Sequence, residues 1–336
     1  MLDNNSGILA RTARPGRTAR KRMNTKKILL AVLLFLGANI ILFAVTCPFV
    51  VWYGPFRNIK NAAVGAIVTS QHQYLLRYIM SPWEISKLLS KEPQTGGGVS
   101  GVTVGKNHDN GVALTEVNSS RFKGYLLEIN DPTRVKLGVT ASLGVKGELT
   151  SEIARDNGAM AAVNAGGFDD PAGTGNGRTP YGVIIHNGFI LAGAGTQEKV
   201  ELIGLDDNGI LFTGYYTIRE IRQLGIKDGI SFGPTLIKNG QKQIARGDGG
   251  WGIAPRTAIG QKQDGTIMLL VIDGRQTDSL GASLLDVQNI LYDNGAWTAA
   301  NLDGGSSTTM YYEGKVVNHP CDLMGERLVP TAFIVI

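Results

Sequence analysis

The sequence Ala296-Trp-Thr-Ala-Ala-Asn-Leu-Asp-Gly-Gly-Ser-Ser-Thr-Thr309 runs from an apolar segment directly into a loop with one carboxylate, two glycines and four hydroxyls. Residues 296–302 have the length and composition of a short buried strand. Met310-Tyr-Tyr312 and Lys315-Val-Val317, around Glu313-Gly314, predict a hairpin after the loop. The stretch therefore predicts a sheet in which one strand end carries a polar loop.

The loop Asp303–Thr309 has the composition of an anion-binding segment. Its glycines allow the backbone to approach a ligand, successive N–H groups can form a nest, and the hydroxyls add donors. Asp303 does not suit a simple phosphate site, because a carboxylate repels phosphate unless it reacts, binds a cation or pairs with an arginine. A reacting centre explains this combination. The alternative is a polar Gly-Ser turn in which Asp303 is a cap.

The composition limits the classes of protein to which the chain can belong. It has 336 residues, 43% of them hydrophobic, which is enough for one large domain with a substantial core. Glycine, at 45 residues, has no collagen-like period and is typical of a turn-rich protein built from strands. The sequence contains no zinc-ligand spacing, P-loop or RNA-binding signature, so we predict no nucleic-acid partner.

The positive charge is concentrated before one apolar run. Residues 1–27 hold eight basic residues and one acid, which leaves the rest close to neutral although the formal net charge is +5. Residues 28–53 carry no charge and exceed the roughly 20 residues that a bilayer requires. The basic flank predicts a cytoplasmic N-terminus and an extracytoplasmic domain, with Trp52 and Tyr53 at the far interface. We therefore expect a basic cytoplasmic tail over residues 1–27 and a single-pass anchor over residues 28–53.

A cleaved signal peptide is the alternative to this anchor. The apolar core of a signal peptide is normally roughly 7–15 residues long, and no Ala-x-Ala cleavage site follows the run. Ala44-Val-Thr-Cys47 resembles a lipoprotein cleavage box, but Thr46 fits poorly before the cysteine. Met23 is also a suitable start of translation. The two cysteines, Cys47 and Cys321, lie too far apart in the predicted organisation for a structural disulfide.

Residues 54–95 are predicted to form a juxtamembrane stalk and a linker. Residues 57–80 have apolar positions at helical spacing, and Ser81-Pro-Trp-Glu84 has the pattern of a helix start. The glycine-rich stretch Pro93–Gly101 is typical of a flexible linker. We therefore expect the catalytic domain over residues 96–336.

This domain combines many strand signals with few helix signals. Strands are predicted at 121–129, 134–139, 159–163, 235–238, 256–260 and 268–273, and short helices at 150–155, 217–224 and 282–292. Thr150 or Ser151 is the predicted cap of the first helix. We predict a mixed α/β (α+β) fold, a sheet-based domain with few short helices that follows one transmembrane helix.

Polar groups stand at the ends of several predicted strands. The clusters are Asn164-Ala-Gly-Gly-Phe168, Ser231-Phe-Gly-Pro234, Pro255-Arg256 and Asp273-Gly-Arg275. Functional groups at strand ends are what a sheet-based active site requires. Each cluster alone also fits an ordinary turn, which for Asp273 and Arg275 would contain a local ion pair.

In this order, the four clusters and Asn301–Thr309 closely resemble the phosphodiester glycosidase family. The resemblance spans about Gly101 to Ile336, and the anchor and stalk resemble those of bacterial membrane-tethered members. Two positions depart from the family pattern: Gly167 stands where a phenylalanine is common, and Ser306 stands where a third glycine often follows Asp-Gly-Gly. These departures concern the shape of the pocket more than the class of reaction.

The resemblance implies hydrolysis of glycosyl-1-phosphodiesters, such as N-acetylglucosamine-1-phosphodiester, in surface polysaccharides or glycoconjugates. This reaction needs cations or N–H groups on the phosphate and carboxylates near the sugar. Arg256 and Arg275 are candidate phosphate clamps, because a guanidinium contacts two oxygens at once. Asp303 and Asp273 are candidates for nucleophile, base or oxocarbenium stabiliser. We assign Asp303, Asp273 and Arg256 to catalysis.

Other residues are candidates for binding the substrate. Asn164 could bind a sugar hydroxyl or acetamido group, and Glu326 with Arg327 would close the pocket. The predicted substrate-binding residues are Asn164, Arg275, Gly304, Gly305, Ser306, Ser307, Thr308, Glu326 and Arg327. Aromatic candidates for stacking on a sugar are Tyr181, Phe189, Trp251 and Trp297, although burial in the core is the default expectation for each.

We predict no required cofactor. Asp169, Asp170 and the Asp248-Gly-Gly turn are candidate ligands for a divalent cation such as calcium, but they lack the spacing of an EF-hand, and solvated turns are the preferred interpretation. Two alternative functions remain open. One is a non-hydrolytic module that assembles or binds exopolysaccharide, and the other is a phosphodiesterase that releases sugar 1-phosphate.

Overall fold

The structure is a computed structural model that describes residues 25–55, 60, 64, 67, 80, 101–103, 109–169 and 175–336. The chain divides into two compact units, residues 1–56 and residues 57–336. The predicted stalk and linker fall almost entirely outside the described residues. The predicted helix at 57–80, the predicted helix start at 81–84 and the predicted start of the domain at residue 96 therefore stay predictions.

The first unit contains one long helix, α1 (Thr25–Tyr53). Its segment Leu29–Cys47 has a mean hydropathy of 2.6, and the large apolar side chains of this segment are exposed. Asn39 Nδ2 donates to the carbonyl of Phe35 at 2.8 Å, so the helix itself satisfies this polar side chain. A helix of this length and hydropathy can cross a bilayer, and a signal sequence has the same character.

The second unit consists of antiparallel sheets and a few short helices. Its strands are β1 (Val112–Glu116), β2 (Gly124–Ile129), β3 (Val135–Val139), β4 (Glu148–Leu149), β5 (Ala161–Asn164), β6 (Phe168–Asp169), β7 (Thr179–Pro180), β8 (Ile184–His186), β9 (Phe189–Ala192), β10 (Val200–Leu205), β11 (Leu211–Tyr216), β12 (Asp228–Ser231), β13 (Thr235–Lys238), β14 (Gln241–Lys242), β15 (Arg256–Lys262), β16 (Ile267–Ile272), β17 (Ala296–Asn301), β18 (Met310–Tyr312), β19 (Lys315–Val316), β20 (Leu328–Val329) and β21 (Thr331–Val335). Its helices are α2 (Thr150–Asp156), α3 (Ile218–Gln223) and α4 (Leu284–Asp293).

Three sheets make up most of this unit. The first has the order β1-β2-β16-β15-β17-β13-β14, the second β11-β10-β12-β8-β9, and the third β19-β18-β5-β21-β3. Two ribbons, β4 with β20 and β6 with β7, complete the described strands. The prediction of a sheet-based α+β domain after one apolar helix is confirmed, as is the hairpin of β18 and β19.

The central strands are apolar on both faces because each lies between two hydrophobic layers. In β16 (Ile267–Ile272), the odd-numbered residues belong to a core shared by all three sheets, and the even-numbered residues belong to a second cluster. That second cluster includes Val287 and Leu291 of α4. Successive side chains of a strand point to opposite faces, so a continuous apolar run is required here.

The other two sheets are covered in the same way. Ile153 of α2 packs with Ala162 and Ile334 of the third sheet. Ile221 of α3 packs with Leu202 of the second sheet. The three sheets thus surround one core, and a helix covers the outer face of each.

Two of the predicted helices start at capping boxes. Asp286 N donates to Ser283 Oγ at 3.2 Å, and Ser283 N donates to Asp286 Oδ2 at 2.9 Å, at the start of α4. Thr217 and Glu220 form the same arrangement at the start of α3. The predicted helices at 217–224 and 282–292 are confirmed.

Helix α2 starts differently from the prediction. Neither Thr150 nor Ser151 is the N-cap, because the helix begins at Thr150 and Leu149 occupies the cap position. The carboxylate of Glu326 accepts a hydrogen bond from Ser151 N at 2.9 Å. A side chain 175 residues away therefore satisfies a free N–H of this helix, which a local pattern does not reveal.

Candidate active site

Asp303 lies where neighbouring strands of the first sheet end side by side. β15 lies between β16 and β17, and Arg256 begins β15 while Asp273 follows β16 and Asp303 follows β17. The antiparallel register places these three positions at the same edge of the sheet. The backbone N–H of Asp303 donates to Ala165 O at 2.9 Å, so the loop after β5 also belongs to this region. The sheet thus brings the three residues predicted for catalysis to one region.

Asn164 fixes the backbone around Asp303. This fully buried side chain donates from Nδ2 to Asp303 O at 2.6 Å. Its Oδ1 accepts hydrogen bonds from Thr257 Oγ1 at 2.7 Å and from Thr309 N at 3.1 Å. One amide therefore connects β5, β15 and the loop after β17 in a low-dielectric interior. Its predicted contact with a sugar stays a prediction.

The carboxyl group of Asp303 is buried, with 8% of the residue exposed. Burial raises the pKa of Asp303 to about 6, against the opposing effects of the Ser307 hydroxyl, Arg327 and the Gly304 N–H. The ionised form is thus less stable here than in water, and a desolvated carboxylate of this kind is more basic than an ordinary aspartate. Such a group can exchange a proton, or attack an electrophile, near neutral pH.

Arg327 and Glu326, predicted to close the pocket together, lie in different surroundings. Arg327 is buried, and its guanidinium lies 4.6 Å from the centre of the Phe168 ring while it acts electrostatically on Asp303. Glu326 instead binds the N–H of Ser151 at the start of α2. The structure therefore brings Arg327 to Asp303 and gives Glu326 a contact with a helix.

Arg256 is almost completely enclosed by backbone carbonyls. Its Nε donates to Ala282 O at 3.0 Å, and its Nη2 donates to Trp251 O at 3.1 Å and Gly252 O at 2.7 Å. Burial, and then the charge of Arg275, lower the pKa of Arg256 to about 10, so it remains charged at neutral pH. Its buried Nη1 has no hydrogen-bond partner among the described residues. That nitrogen is a suitable donor for an anion.

Arg275 is exposed and lies beside the loop after Asp303. Its Nη1 donates to Ser306 Oγ at 3.4 Å. Its backbone has a φ of +59°, in the left-handed region that residues other than glycine rarely adopt. Holding a residue there costs on the order of 1–3 kcal/mol, and such strain is concentrated at functional sites.

The loop Gly304–Thr309 differs from the predicted anion nest. It closes as a 3₁₀ turn over Gly305–Ser307, in which Ser307 N donates to Gly304 O at 3.2 Å and Thr308 N to Gly305 O at 3.3 Å. Gly305 N donates to Pro255 O, and Thr309 N to Asn164. These four N–H groups are thus used by the chain itself, which corrects the prediction that they bind an anion. The hydroxyl of Ser306 remains at the site, beside Arg275.

Both glycines of this loop are required by the geometry of the chain. A Cβ at Gly304 would lie 2.7 Å from Pro255 O, and Gly305 has a φ of +62°. The close approach that the sequence predicted at Gly304 is therefore an approach to the neighbouring strand. A role of Gly304, Gly305, Ser307 and Thr308 in substrate binding stays a prediction.

Asp273 connects two loops at the edge of the site. Its carboxylate accepts hydrogen bonds from Asn318 Nδ2 at 2.9 Å and His319 N at 3.0 Å. Asn318 in turn donates to Thr308 O at 3.2 Å. Burial raises the pKa of Asp273, against the opposing effects of Asn318 and His319. Its contacts are those of a residue that positions the loop of Thr308.

The candidate metal ligands do not come together in the described part of the chain. Asp169 lies in β6, paired with Thr179, and Asp170 is outside the described residues. The carboxylate of Asp248 accepts the N–H groups of Gly250 at 2.7 Å and Gly252 at 3.1 Å, as in a turn. No group of three or more His, Cys, Asp or Glu side chains among the described residues could hold a metal ion. Binding of a divalent cation stays a prediction.

Sequence reasoning missed Thr257 and Asn318. Both are ordinary polar residues whose importance comes from hydrogen bonds to Asn164 and Asp273. No single-sequence signal identifies either of them, because their partners lie far away in the chain.

Glu201 packs against the Ser231–Pro234 loop and binds the residue that follows it. Its carboxylate accepts hydrogen bonds from Thr235 N at 3.0 Å and Tyr215 OH at 3.0 Å, and a Cβ at Gly233 would lie within 2.5 Å of it. Burial raises the pKa of Glu201, against the opposing hydrogen bonds of Thr235 and Tyr215. The folded state therefore prefers the protonated form, and stability is lost as the pH rises from the unfolded pKa through the raised one.

We expect Glu201→Gln to raise the melting temperature at pH 7.5 by about 2–4 °C, because glutamine cannot ionise in this buried position. Thermal unfolding should show this difference vanishing at pH 4, where Glu201 is protonated in wild type. The exposed Glu198→Gln is the control and should change neither value. A lower melting temperature of Glu201→Gln at both pH values would contradict the argument.

The comparisons with known proteins agree with this geometry. Residues 157–336 match the family model of the phosphodiester glycosidases. An SPbeta prophage-derived uncharacterized protein of Bacillus subtilis is 27% identical over 213 residues, which cover 61% of this chain and 31% of that protein. The N-acetylglucosamine-1-phosphodiester alpha-N-acetylglucosaminidase of Bos taurus is 28% identical over 191 residues, which cover 51% of this chain and 34% of that enzyme. The chain thus spans about a third of the length of these relatives.

A solved structure has a similar fold. It is the catalytic domain of the zebrafish N-acetylglucosamine-1-phosphodiester alpha-N-acetylglucosaminidase, auto-inhibited by its pro-peptide, with a TM-score of 0.57 and 24% identity. The match covers 70% of this chain and 86% of that domain. The family model extends over more than half of the chain and includes Asn164, Arg256, Asp303 and Arg327, the residues that meet at the candidate site. The chain therefore belongs to the phosphodiester glycosidase family.

Proposed function

We propose that this protein hydrolyses glycosyl-1-phosphodiesters of surface polysaccharides or glycoconjugates outside the cytoplasm. The observation that carries the proposal is a buried carboxyl group, Asp303, on which one guanidinium acts and beside whose loop a second one lies. Arg327 acts on it electrostatically, Arg275 binds Ser306 in the same loop, and the backbone of Arg256 packs against Gly304. A carboxylate with a guanidinium acting on it, and a second guanidinium at the adjoining loop, fits a substrate that carries both an electrophilic carbon and an anionic phosphate.

In the proposed reaction, water adds to the anomeric carbon of the sugar. The bond between this carbon and the phosphate oxygen breaks, and its electron pair leaves with the phosphate. The products are a free sugar and a phosphate monoester. Asp303 acts in its ionised form at the anomeric carbon, either as the nucleophile that water later displaces or as the base that activates water.

One reacting carboxylate is sufficient for this substrate. A phosphate monoester is a stable anion with a second pKa of about 6, so it can leave without a proton from a general acid. Arg256 Nη1 and the guanidinium of Arg275 stabilise the charge of this leaving group. Asp273 acts through Asn318 as a positioning residue, and the protonation of a leaving alcohol, which ordinary glycosidases require, is unnecessary.

The location of the protein is part of the proposal. α1 acts as an uncleaved anchor, because it is longer than the apolar core of a signal peptide and follows a basic segment. The N-terminus is then cytoplasmic and the catalytic domain faces the outside, where glycosyl phosphodiesters of surface polymers are found.

The test is a product analysis with the full-length protein in detergent. We expect it to release free N-acetylglucosamine and a phosphate monoester from a synthetic N-acetylglucosamine 1-phosphodiester. Release of N-acetylglucosamine 1-phosphate instead would identify a phosphodiesterase that cuts the other P–O bond. Binding without any product would identify the non-hydrolytic module for exopolysaccharide. Either result would overturn the proposed glycosidase.

A further inference from the structure

Three aromatic side chains lie in loops around the candidate site, and the proposed chemistry does not use them. They are Tyr181, Phe232 and Trp251, which we call the aromatic row. The ring centroids of Phe232 and Trp251 are 6.2 Å apart, with an angle of 70° between the planes. A Cβ at Gly167 would lie 2.7 Å from Phe232 Cε2 and 3.1 Å from Tyr181 Cδ2. The three rings thus form a continuous series, and two of them meet over the backbone of Gly167.

The Tyr181 end of the row is connected to the loop after β5. Tyr181 N donates to Gly167 O at 2.9 Å. Two residues earlier, Ala165 O accepts the backbone N–H of Asp303 at 2.9 Å. The segment that positions Tyr181 is therefore the one that contacts Asp303.

The other two members are connected to the ends of β17 and β15. The carbonyl of Gly233, next to Phe232, accepts a hydrogen bond from Asn301 Nδ2 at 3.0 Å. The carbonyl of Trp251 accepts a hydrogen bond from Arg256 Nη2 at 3.1 Å. Each ring of the row is thus held by backbone that contacts a residue of the candidate site or the strand that leads into it.

The other predicted aromatic residues lie elsewhere. Phe189 is the first residue of β9 and is 72% exposed. Trp297 lies at the start of β17, at the opposite end from Asp303, and packs against Gly240. In contrast, Tyr181 is 41% exposed, and Phe232 and Trp251 are half-buried. The row therefore offers partly accessible apolar surface next to a charged site, which is the usual composition of a ligand pocket.

We propose that the aromatic row binds the apolar face of the sugar ring of the substrate, an inference that rests on the proposed function. A pyranose has C–H groups on its faces and hydroxyls at its edge, so a face can pack on an aromatic ring while the edge stays hydrated. Gly167 permits this arrangement, because any side chain at that position would displace Phe232. The row selects for a ring attached to the phosphate, whereas the arginines recognise the phosphate itself.

The experiment compares two probes on the full-length protein by titration calorimetry: N-acetylglucosamine 1-phosphate and inorganic phosphate. We expect Tyr181→Ala and Gly167→Ala to weaken binding of the sugar phosphate about three- to tenfold and to leave binding of inorganic phosphate unchanged. Tyr181→Phe keeps the ring and should keep the affinity. Phe189→Ala is the matched control and should change neither affinity.

Three results would overturn the inference: equal weakening of both probes, no weakening of either, or wild-type protein that binds the two probes equally. Hydrolysis of the synthetic phosphodiester by wild type is measured in parallel, so the two proposals can fail separately. If wild type hydrolyses the phosphodiester but the variants do not selectively lose affinity for the sugar phosphate, the proposed function stands and the aromatic row is not the sugar site. A selective effect without hydrolysis would retain the sugar site in a binding protein.

Discussion

Asp303→Asn should lower turnover of a glycosyl-1-phosphodiester by about 10²–10⁴-fold, the usual contribution of one acid–base group. The change replaces one carboxylate oxygen by an NH₂ group of nearly the same size, so the buried position stays filled. It removes the negative charge that would act at the anomeric carbon. Initial rates of sugar release, measured from pH 4 to pH 9, are the appropriate readout.

The pH dependence distinguishes a reacting carboxylate from a structural one. Because the pKa of Asp303 is raised to about 6, wild-type activity should increase as the pH rises through about 6. The residual activity of Asp303→Asn should lack this step. The exposed Asp207→Asn, which removes a partner of Lys227, is the matched control and should retain both the rate and the step. Near-normal turnover of Asp303→Asn would exclude Asp303 from catalysis.

Asp303→Asn should also change how the free energy of unfolding depends on pH. The folded protein binds a proton at Asp303 near pH 6, but the unfolded chain binds it only near the ordinary aspartate pKa of 3.8. Wild type should therefore gain stability relative to Asp303→Asn as the pH falls from 7 to 4, by up to roughly 3 kcal/mol. The gain is lost again as the pH rises through about 6. At neutral pH the ionised carboxylate costs stability, as is common for groups that are maintained for reactivity.

Asn164→Ala should lower the free energy of unfolding by about 2–6 kcal/mol, the largest effect on stability that we expect from a single residue of the site. The variant leaves Asp303 O and Thr309 N buried without their partner. Each unsatisfied group costs about 1–3 kcal/mol. Thr257 is partly spared, because its hydroxyl lies 3.5 Å from Thr308 Oγ1 and can turn toward it.

Chemical unfolding of the full-length protein in detergent, followed by tryptophan fluorescence, measures this loss. Asn208→Ala, at an exposed asparagine, is the matched control and should remain within about 0.5 kcal/mol of wild type. Asn164→Asp keeps the oxygen that accepts from Thr309 but loses the donor to Asp303. Its free energy of unfolding should therefore lie between those of wild type and Asn164→Ala. A loss below about 1 kcal/mol in Asn164→Ala would show that the amide does not hold the three segments together.

The elements with strong local signals were predictable from the sequence. The apolar run of β16, the capping residues of α3 and α4, and the Glu313-Gly314 turn of the hairpin are determined by near neighbours. The strands β10 and β11 were missed, because Glu201 and Gly204 in β10, and Gly214 in β11, interrupt the apolar pattern. Local propensity is weakest where a strand packs against partners far away in the chain.

The candidate site was predictable in its residues but not in its contacts. The strand-end clusters drew attention to Asn164, Asp273 and Asp303, and the first and third sheets bring them to one region. That Asn164 binds the backbone 139 residues away, or that Glu326 satisfies a helix start, depends on pairings that no local pattern encodes. The predicted anion nest lacks four of its donors for a related reason: N–H groups of the loop donate to Pro255, to Asn164 and within its own 3₁₀ turn.

The position of β21 determines when this domain can assemble during synthesis. β21 is paired with β3 on one side and with β5 on the other, so residues 331–335 form the middle of the third sheet. Until these residues leave the ribosome, β3 lacks its described neighbour, and the loop after β5 lacks the Thr331 contacts that support it. Pairings this distant in sequence close slowly. The third sheet is therefore completed only when residues 331–335 pair with both β3 and β5.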